Sequence, residues 1–168
     1  SVDFDKDGSF DAAAPEMGGP AWLEYQKGMA WSLLEAGHEL RGWSGAMSSD
    51  VPIGAGLSSS AALELATARA FQATSAFDWD APAMAVVAQR AENRWVGVNC
   101  GIMDQMISAT GIEGHGLLID CPSLELTPVP LPEGTAVVIL DTATRRGLVD
   151  SSYNGRRAQC QAAAGHFG

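Results

Sequence analysis

The residues best suited to chemistry in this chain lie in one glycine-rich turn and the helix predicted after it, VPIGAGLSSSAALELATARA at 51–70. The turn holds a proline, two glycines and three serines: Pro52, Gly54, Gly56, Ser58, Ser59 and Ser60. The alanines and leucines that follow are strong helix formers, and we expect a serine to cap the helix. The first amides of such a helix have no partners and lie at the positive end of its dipole, so they suit an anion, most often phosphate.

A purely structural interpretation of this turn is also open. Glycine-rich loops precede helices in many α/β proteins, and many of these loops bind nothing. The turn is not a Walker A loop, because no lysine follows Gly56 at the required place. It does not have the dinucleotide-binding spacing either, because Ser59 stands where the third glycine should be. The turn alone therefore leaves both interpretations open.

Two acidic residues further along the chain are candidates for a second part of a site. Asp104 lies in the first turn of a predicted helix, where the helix dipole favours its charged form. Glu92 lies on the helix predicted before it. Taken alone, an aspartate at a helix start ordinarily stabilises the helix, and a lone glutamate is ordinarily solvated. The histidines have no metal-ligand spacing, and nothing pairs them with the serines as a catalytic triad.

Four blocks of the chain resemble one family. PIGAGLSSSAALE at 52–64 is similar to the second signature motif of the GHMP kinases, the phosphate loop, in the form seen in galactokinases. The chain continues with NCGIMDQ at 99–105, GHGLLIDC at 114–121 and SSYNGRRAQC at 151–160. These blocks also resemble galactokinase blocks and follow in the same order, so the resemblance covers residues from about 22 to 160.

The resemblance implies an α+β GHMP kinase fold, present in part. Residues 1–132 would form part of the N-terminal, ATP-binding domain, which is of the ribosomal-protein-S5-domain-2-like type. Residues 133–168 would begin a ferredoxin-like C-terminal domain. Pro128, Pro130 and Pro132 mark the expected connection between the two.

The resemblance also implies roles for individual residues. Asp104 would be the catalytic base that faces the reacting sugar hydroxyl, and Gly101, Asp104 and Tyr153 would contact the sugar. Ser60 and Glu92 would bind Mg²⁺, with Ser59 as the alternative hydroxyl ligand. The ATP phosphates would lie against eight residues of the turn: Pro52, Gly54, Ala55, Gly56, Leu57, Ser58, Ser59 and Ser60. Gly155 departs from the family pattern, which usually has a larger side chain there.

The activity implied is the ATP- and Mg²⁺-dependent phosphorylation of α-D-galactose at its anomeric hydroxyl. A related kinase of N-acetylgalactosamine or arabinose is an alternative, as is a non-catalytic protein that senses galactose and ATP. The retained serines at 58–60 favour an enzyme, because the sensing proteins tend to lose residues there. The family's N-terminal sugar motif and C-terminal third motif are absent from this sequence. We therefore expect an internal fragment that is inactive alone.

The amino-acid composition indicates the cellular compartment of the protein and the classes of partner that it can bind. The 168 residues carry a formal charge of −10, which argues against nucleic acid as a partner because its phosphates require a basic surface. Hydrophobic residues make up 46%, enough for a core. Cys100, Cys121 and Cys160 are widely spaced and indicate reduced thiols, and no membrane span or signal peptide is evident. We expect a cytoplasmic, monomeric protein whose partners are small-molecule substrates.

Helices and strands must position these residues. Apolar periodicity, caps and glycine breaks predict five helices, at 20–37, 59–77, 80–95, from about 101, and at 153–164. Strands are predicted at 40–47, 115–121, 124–129 and 135–140. A remnant of a strand and an irregular surface segment are expected within 1–19. Asp80 is the predicted cap of the third helix, with Pro82 in its first turn.

Overall fold

The computed structural model describes residues 1–3, 5–140 and 151–167, and for 151–153 it describes the backbone only. Five α-helices, one π-helical turn and two strands follow along these residues. In chain order they are α1 Ala21–Glu35, α2 Ser59–Ser75, α3 Ala81–Ala91, the π-helical turn Glu92–Val96, α4 Met103–Thr110, β1 His115–Ile119, β2 Leu126–Pro130 and α5 Ser151–Phe167. The mixed α and β composition of the predicted fold is confirmed, and so are all five predicted helices.

The core lies where helices α1, α2 and α3 pack against one another. Its largest side chains are fully or almost fully buried: Met29, Leu33, Leu65, Phe71 and Met84. Alanines between them, such as Ala30, Ala68 and Ala88, have no exposed surface and let the helix axes approach closely. Burial of a side chain of the size of Phe71 contributes about 1.5–3 kcal/mol to folding. Helix α2, which begins at the end of the turn at 51–60, is thereby packed into the core.

Helix α3 begins as predicted and ends differently. The Asp80 carboxylate accepts a hydrogen bond from the Ala83 amide at 3.0 Å, and Pro82 lies in the first turn. The predicted helix over 80–95 is divided, because regular α-helical geometry ends at Ala91 and the chain continues as the π-helical turn. Gly97 then ends this turn with a φ of 89°. Wide turns of this kind often mark functional sites in proteins.

Strands β1 and β2 form an antiparallel hairpin that covers α3 and α4. Their register runs from His115 opposite Pro130 to Ile119 opposite Leu126. A second cluster of buried residues, consisting of Ala85, Ile102 and Met106, packs against one face of the hairpin. The hairpin thereby contacts α4, the helix that carries Asp104, and α3, which packs directly on α4.

Two predicted strands are not formed. Residues 40–47 run as irregular chain, and so do residues 135–140. A strand needs a neighbour to satisfy its ladder of backbone hydrogen bonds. At 40–47 the Met47 carbonyl accepts a hydrogen bond from the Val2 amide, and Trp43 packs against Phe71 instead. At 135–140 the described chain provides no partner strand, and Leu140 is 84% exposed. The strand remnant expected within 1–19 is also absent from the described residues.

None of the described helices has both the length and the apolar character needed to cross a membrane.

Candidate functional site

The glycine-rich turn is an open bend at the protein surface. Three alternate residues have left-handed backbone conformations, namely Gly54 with a φ of 71°, Gly56 with 78° and Ser58 with 61°. No atom lies within 4 Å of the position that a Cβ on Gly56 would take, so this face of the bend is free. Of the eight residues expected to contact phosphate, Pro52 and Gly56 are exposed and the other six are half-buried. The bend is therefore accessible to a ligand.

The start of α2 differs in one respect from the expectation. The Ser58 side chain makes no capping hydrogen bond, so the predicted serine cap is wrong. The reason is its left-handed backbone, since capping requires an extended conformation at this position. Within the described part of the chain, the amides of Ser59, Ser60 and Ala61 have no acceptor. They remain available to an anion at the positive end of the helix dipole.

Glu92 reaches this helix start from the π-helical turn. Its side chain is buried, and the Ser60 hydroxyl lies close enough to its carboxylate to favour the charged form. Oxygen Oε2 accepts from the Gln105 amide at 2.5 Å and lies 3.4 Å from the Cys100 thiol. The two residues expected to bind a metal ion, Ser60 and Glu92, therefore lie close to each other.

The electrostatics around Glu92 suit a cation. Burial raises the pKa of the Glu92 carboxyl above its usual value, and the nearby Asp104 carboxylate adds to this increase. The hydrogen bonds from Cys100, Ser60 and Gln105 favour the charged form and oppose these effects. Two carboxylates and a hydroxyl form a set of hard oxygen donors, which Mg²⁺ prefers. A cation here would also relieve the repulsion between the two carboxylates.

Asp104 lies in the first turn of α4, where its side chain is half-buried. It is close enough to Glu92 to affect the pKa of that carboxyl. Gly101 is exposed and precedes the helix, so its backbone is open to solvent beside Asp104. The structure thus brings together Ser60, Glu92 and Asp104, which lie on three separate elements.

Helix α5 is hydrogen-bonded to the segment that precedes α4. The Asn154 side chain accepts a hydrogen bond from the Asn99 amide at 3.2 Å. The Arg157 guanidinium donates to the carbonyls of Asn99 and Cys100 at 2.9 and 3.2 Å. Tyr153 belongs to this helix by its backbone, but its side chain lies outside the described residues. Its expected contact with the sugar stays a prediction.

The sequence analysis did not identify two buried polar residues beside the site. Glu64 and Gln105 have no exposed surface, and the Gln105 amide donates to Glu64 Oε2 at 3.2 Å as well as to Glu92. Burial and the Glu92 carboxylate raise the pKa of Glu64 well above its usual value, which favours the uncharged carboxyl. One signal was available for Glu64, because it shares a buried helix face with Ala61, Leu65 and Ala68. A charged residue type within an apolar stripe indicates a buried polar contact.

In the residues that the structure describes, no group of three His, Cys, Asp or Glu side chains is arranged to hold a metal ion unaided. A magnesium ion that shares its ligands with bound phosphates and water needs fewer protein donors than such a cage provides.

Comparison with known proteins identifies the family. The profile of the GHMP kinases N terminal domain matches residues 24–112. The crystal structure of Lactococcus lactis galactokinase complexed with galactose is similar to this structure, with a TM-score of 0.74 and 29% sequence identity. The similarity covers 92% of this chain and 40% of that chain, so the present chain spans less than half of its relative. The matched residues include the bend, Glu92 and Asp104 and make up more than half of the sequence, so this chain belongs to the GHMP kinase family.

Proposed function

We propose that the protein to which this chain belongs is a galactokinase, which transfers the γ-phosphoryl group of ATP to the anomeric hydroxyl of α-D-galactose and forms galactose 1-phosphate. The observation that carries this proposal is the convergence of three features. These are the unpaired amides at the start of α2, the proximity of Ser60 to Glu92 and the Asp104 carboxylate. Membership of the GHMP kinase family and the similarity to a galactokinase complexed with galactose support it.

The bend at 52–60 is the proposed phosphate site. Its left-handed glycines let the backbone approach a ligand, and the amides of Ser59, Ser60 and Ala61 have no acceptor in the described part of the chain. Amides fixed at a helix start act as preorganised donors to the negative charge that develops on phosphate oxygens. The role proposed for these residues is to bind the phosphate chain and fix its direction toward Asp104.

Ser60 and Glu92 are the proposed magnesium ligands. When bound, Mg²⁺ would neutralise negative charge on the phosphate oxygens. The protein's contribution is to hold one hydroxyl and one carboxylate close together at the edge of the bend. Because burial and Asp104 raise the pKa of Glu92, a bound cation would shift this carboxyl toward its charged form.

Asp104 is the proposed catalytic base. Phosphoryl transfer passes through a loose transition state, so the carboxylate has to orient the sugar hydroxyl and to accept its proton late in the reaction. Its side chain lies in the first turn of α4, close enough to Glu92 to affect the pKa of that carboxyl, and the exposed Gly101 precedes the helix. Tyr153 is proposed to contact the sugar ring from α5.

We propose that the boundary between the N-terminal and C-terminal domains lies between residues 132 and 133, where the sequence predicts it. Residues 1–132 contain the helical core, the hairpin and all the proposed site residues except Tyr153. Residues 135–140 leave Val137, Val138 and Leu140 at 76–84% exposure. We infer that this exposed apolar segment packs against the rest of the second domain.

A coupled assay of ADP release by the complete protein tests the proposed function. Galactose, N-acetylgalactosamine and arabinose are supplied in turn with ATP and Mg²⁺, and the phosphorylated product is identified by nuclear magnetic resonance. We expect turnover with galactose and the phosphate on the anomeric oxygen. Preferential turnover of another sugar would contradict the substrate, and ATP binding without turnover of any sugar would support the non-catalytic sensor instead.

A further inference from the structure

The Gln105 side chain connects three helical elements at the centre of the site. It lies on α4 directly after Asp104 and has no exposed surface. Its amide nitrogen donates to Glu92 Oε2 on the π-helical turn at 2.5 Å and to Glu64 Oε2 on α2 at 3.2 Å. The amide group thus bonds two carboxyl groups that are distant in sequence, and its nitrogen also lies 3.6 Å from Cys100 Sγ.

This polar contact is costly if its role is packing alone. In the described part of the chain, Glu64 Oε1 and Gln105 Oε1 are buried without a hydrogen-bond partner. A buried polar atom without a hydrogen bond destabilises the folded state. Leucine or methionine at these positions would fill the same space without that cost. The arrangement therefore indicates a role other than stability.

We propose that Gln105 is a positioning residue, whose amide fixes the Glu92 carboxylate in the orientation required for the metal ion. This inference rests on the proposed function and deepens it. The donors Gln105 and Cys100 both approach Oε2, so neither of them engages Oε1. A free glutamate side chain loses conformational entropy when it becomes fixed, and this loss opposes metal binding. The bond from Gln105 fixes Glu92 before the ion binds, which removes part of this cost from binding.

Glu64 is the anchor of Gln105 in this arrangement. An amide held only by Glu92 would be free to follow that side chain, whereas a second acceptor on α2 fixes its direction. Glu64 acts here as a hydrogen-bond acceptor and not as a charge. A Glu64→Gln variant retains an acceptor oxygen of the same reach, whereas Glu64→Leu removes it.

The test compares metal affinities in the complete protein. Gln105→Met removes the amide at nearly constant volume. Gln72→Met is the control, because Gln72 is a half-buried glutamine at the far end of α2 that donates to the Phe77 carbonyl. The affinity of the protein–ADP complex for Mn²⁺ is measured by electron paramagnetic resonance, and melting temperatures are recorded without ligands.

We expect Gln105→Met to weaken Mn²⁺ binding by about 10–100-fold, the usual effect of removing a group that orients a metal ligand. Gln72→Met should remain within about two-fold of the parent by the same reasoning. Glu64→Leu should resemble Gln105→Met, and Glu64→Gln should retain the parental affinity. The KM for galactose should not change, because Asp104 is intact.

The outcomes separate the two proposals. If the parent binds Mn²⁺ with ADP and Gln105→Met binds it equally well, the positioning role is wrong and the proposed function stands. A loss of Mn²⁺ affinity in Gln72→Met as large as that in Gln105→Met would also overturn the inference. If the parental complex binds no Mn²⁺, both proposals fail. Should Gln105→Met not fold, the Mn²⁺ affinities of Glu64→Leu and Glu64→Gln are compared instead. Equal affinities of these two variants would overturn the positioning role.

Discussion

Gly28 of α1 leaves the space that the Trp95 side chain of the π-helical turn occupies. A Cβ at this position would lie 3.0 Å from Cγ of Trp95 and 3.1 Å from its Cβ and Cδ1. Trp95 cannot easily move away, because its Nε1 donates to Glu24 at 2.9 Å and its ring lies 5.8 Å from that of Trp31. Substitution of Gly28 by alanine would therefore displace the turn that carries Glu92.

The magnitude follows from two opposing effects. Forcing a methyl group into a packed site typically costs about 1–3 kcal/mol. Alanine in place of glycine inside a helix contributes about 0.5–1 kcal/mol of stability. The expected net change for Gly28→Ala is a destabilisation of about 0–2.5 kcal/mol. Gly155→Ala in α5 is the matched control. No atom lies within 4 Å of its added Cβ, so the substitution has no packing cost and only the stabilisation of the helix by alanine remains.

The free energy of unfolding is measured by urea denaturation of the complete protein and its two variants. We expect Gly28→Ala to be less stable than Gly155→Ala by about 1–3 kcal/mol, which is the packing effect alone. Its affinity for Mn²⁺ with ADP should also fall, because Glu92 moves with Trp95. Equal stabilisation by both substitutions would refute the argument that Gly28 seats the turn.

Three further predictions concern groups around the core and the site. The pKa of Glu64 is raised above 4.5 in the folded state, so the folded protein binds more protons than the unfolded chain above this pH, and its stability falls as the pH rises. Glu64→Gln, which cannot titrate, should show a smaller fall in melting temperature from about pH 4.5 to 8, and an unchanged slope would contradict this. Burial, with the nearby Glu92 carboxylate, raises the pKa of the Cys100 thiol to about 12. Alkylation at pH 8 followed by mass spectrometry should therefore modify the exposed Cys121 well before Cys100, and equal rates would argue against the buried thiol. Asp80→Ala removes the cap of α3 and should cost about 0.5–2 kcal/mol in urea denaturation, whereas a cost below about 0.3 kcal/mol would contradict the cap.

The helices could be predicted because their signals are local. Apolar spacing defined α1 and α2, and Asp80 with Pro82 marked the start of α3. The two unformed strands show the limit of this reasoning, since strand pairing depends on residues far away in the sequence. The β-branched and apolar run at 135–140 has the composition of a strand, yet no described strand lies beside it.

The site could be predicted in part. The bend, Glu92 and Asp104 were named because their motifs resemble those of a known family, and the structure places them together. The left-handed Ser58 was not foreseen, because a serine before a helix ordinarily indicates an extended cap. Gln105 was not foreseen either, because its two partners lie on other helices and become neighbours only through packing.

The central claim is that Asp104 acts on a sugar hydroxyl beside a phosphate-binding bend. Its most direct test is the kcat for galactose-dependent ADP release by the complete protein carrying Asp104→Asn, with Asp120→Asn, at an exposed carboxylate, as the control. We expect kcat to fall by about 10²–10⁴-fold in Asp104→Asn, the usual contribution of a general base, and to stay at the parental value in Asp120→Asn. A kcat for Asp104→Asn within a few-fold of the parental value would contradict the account.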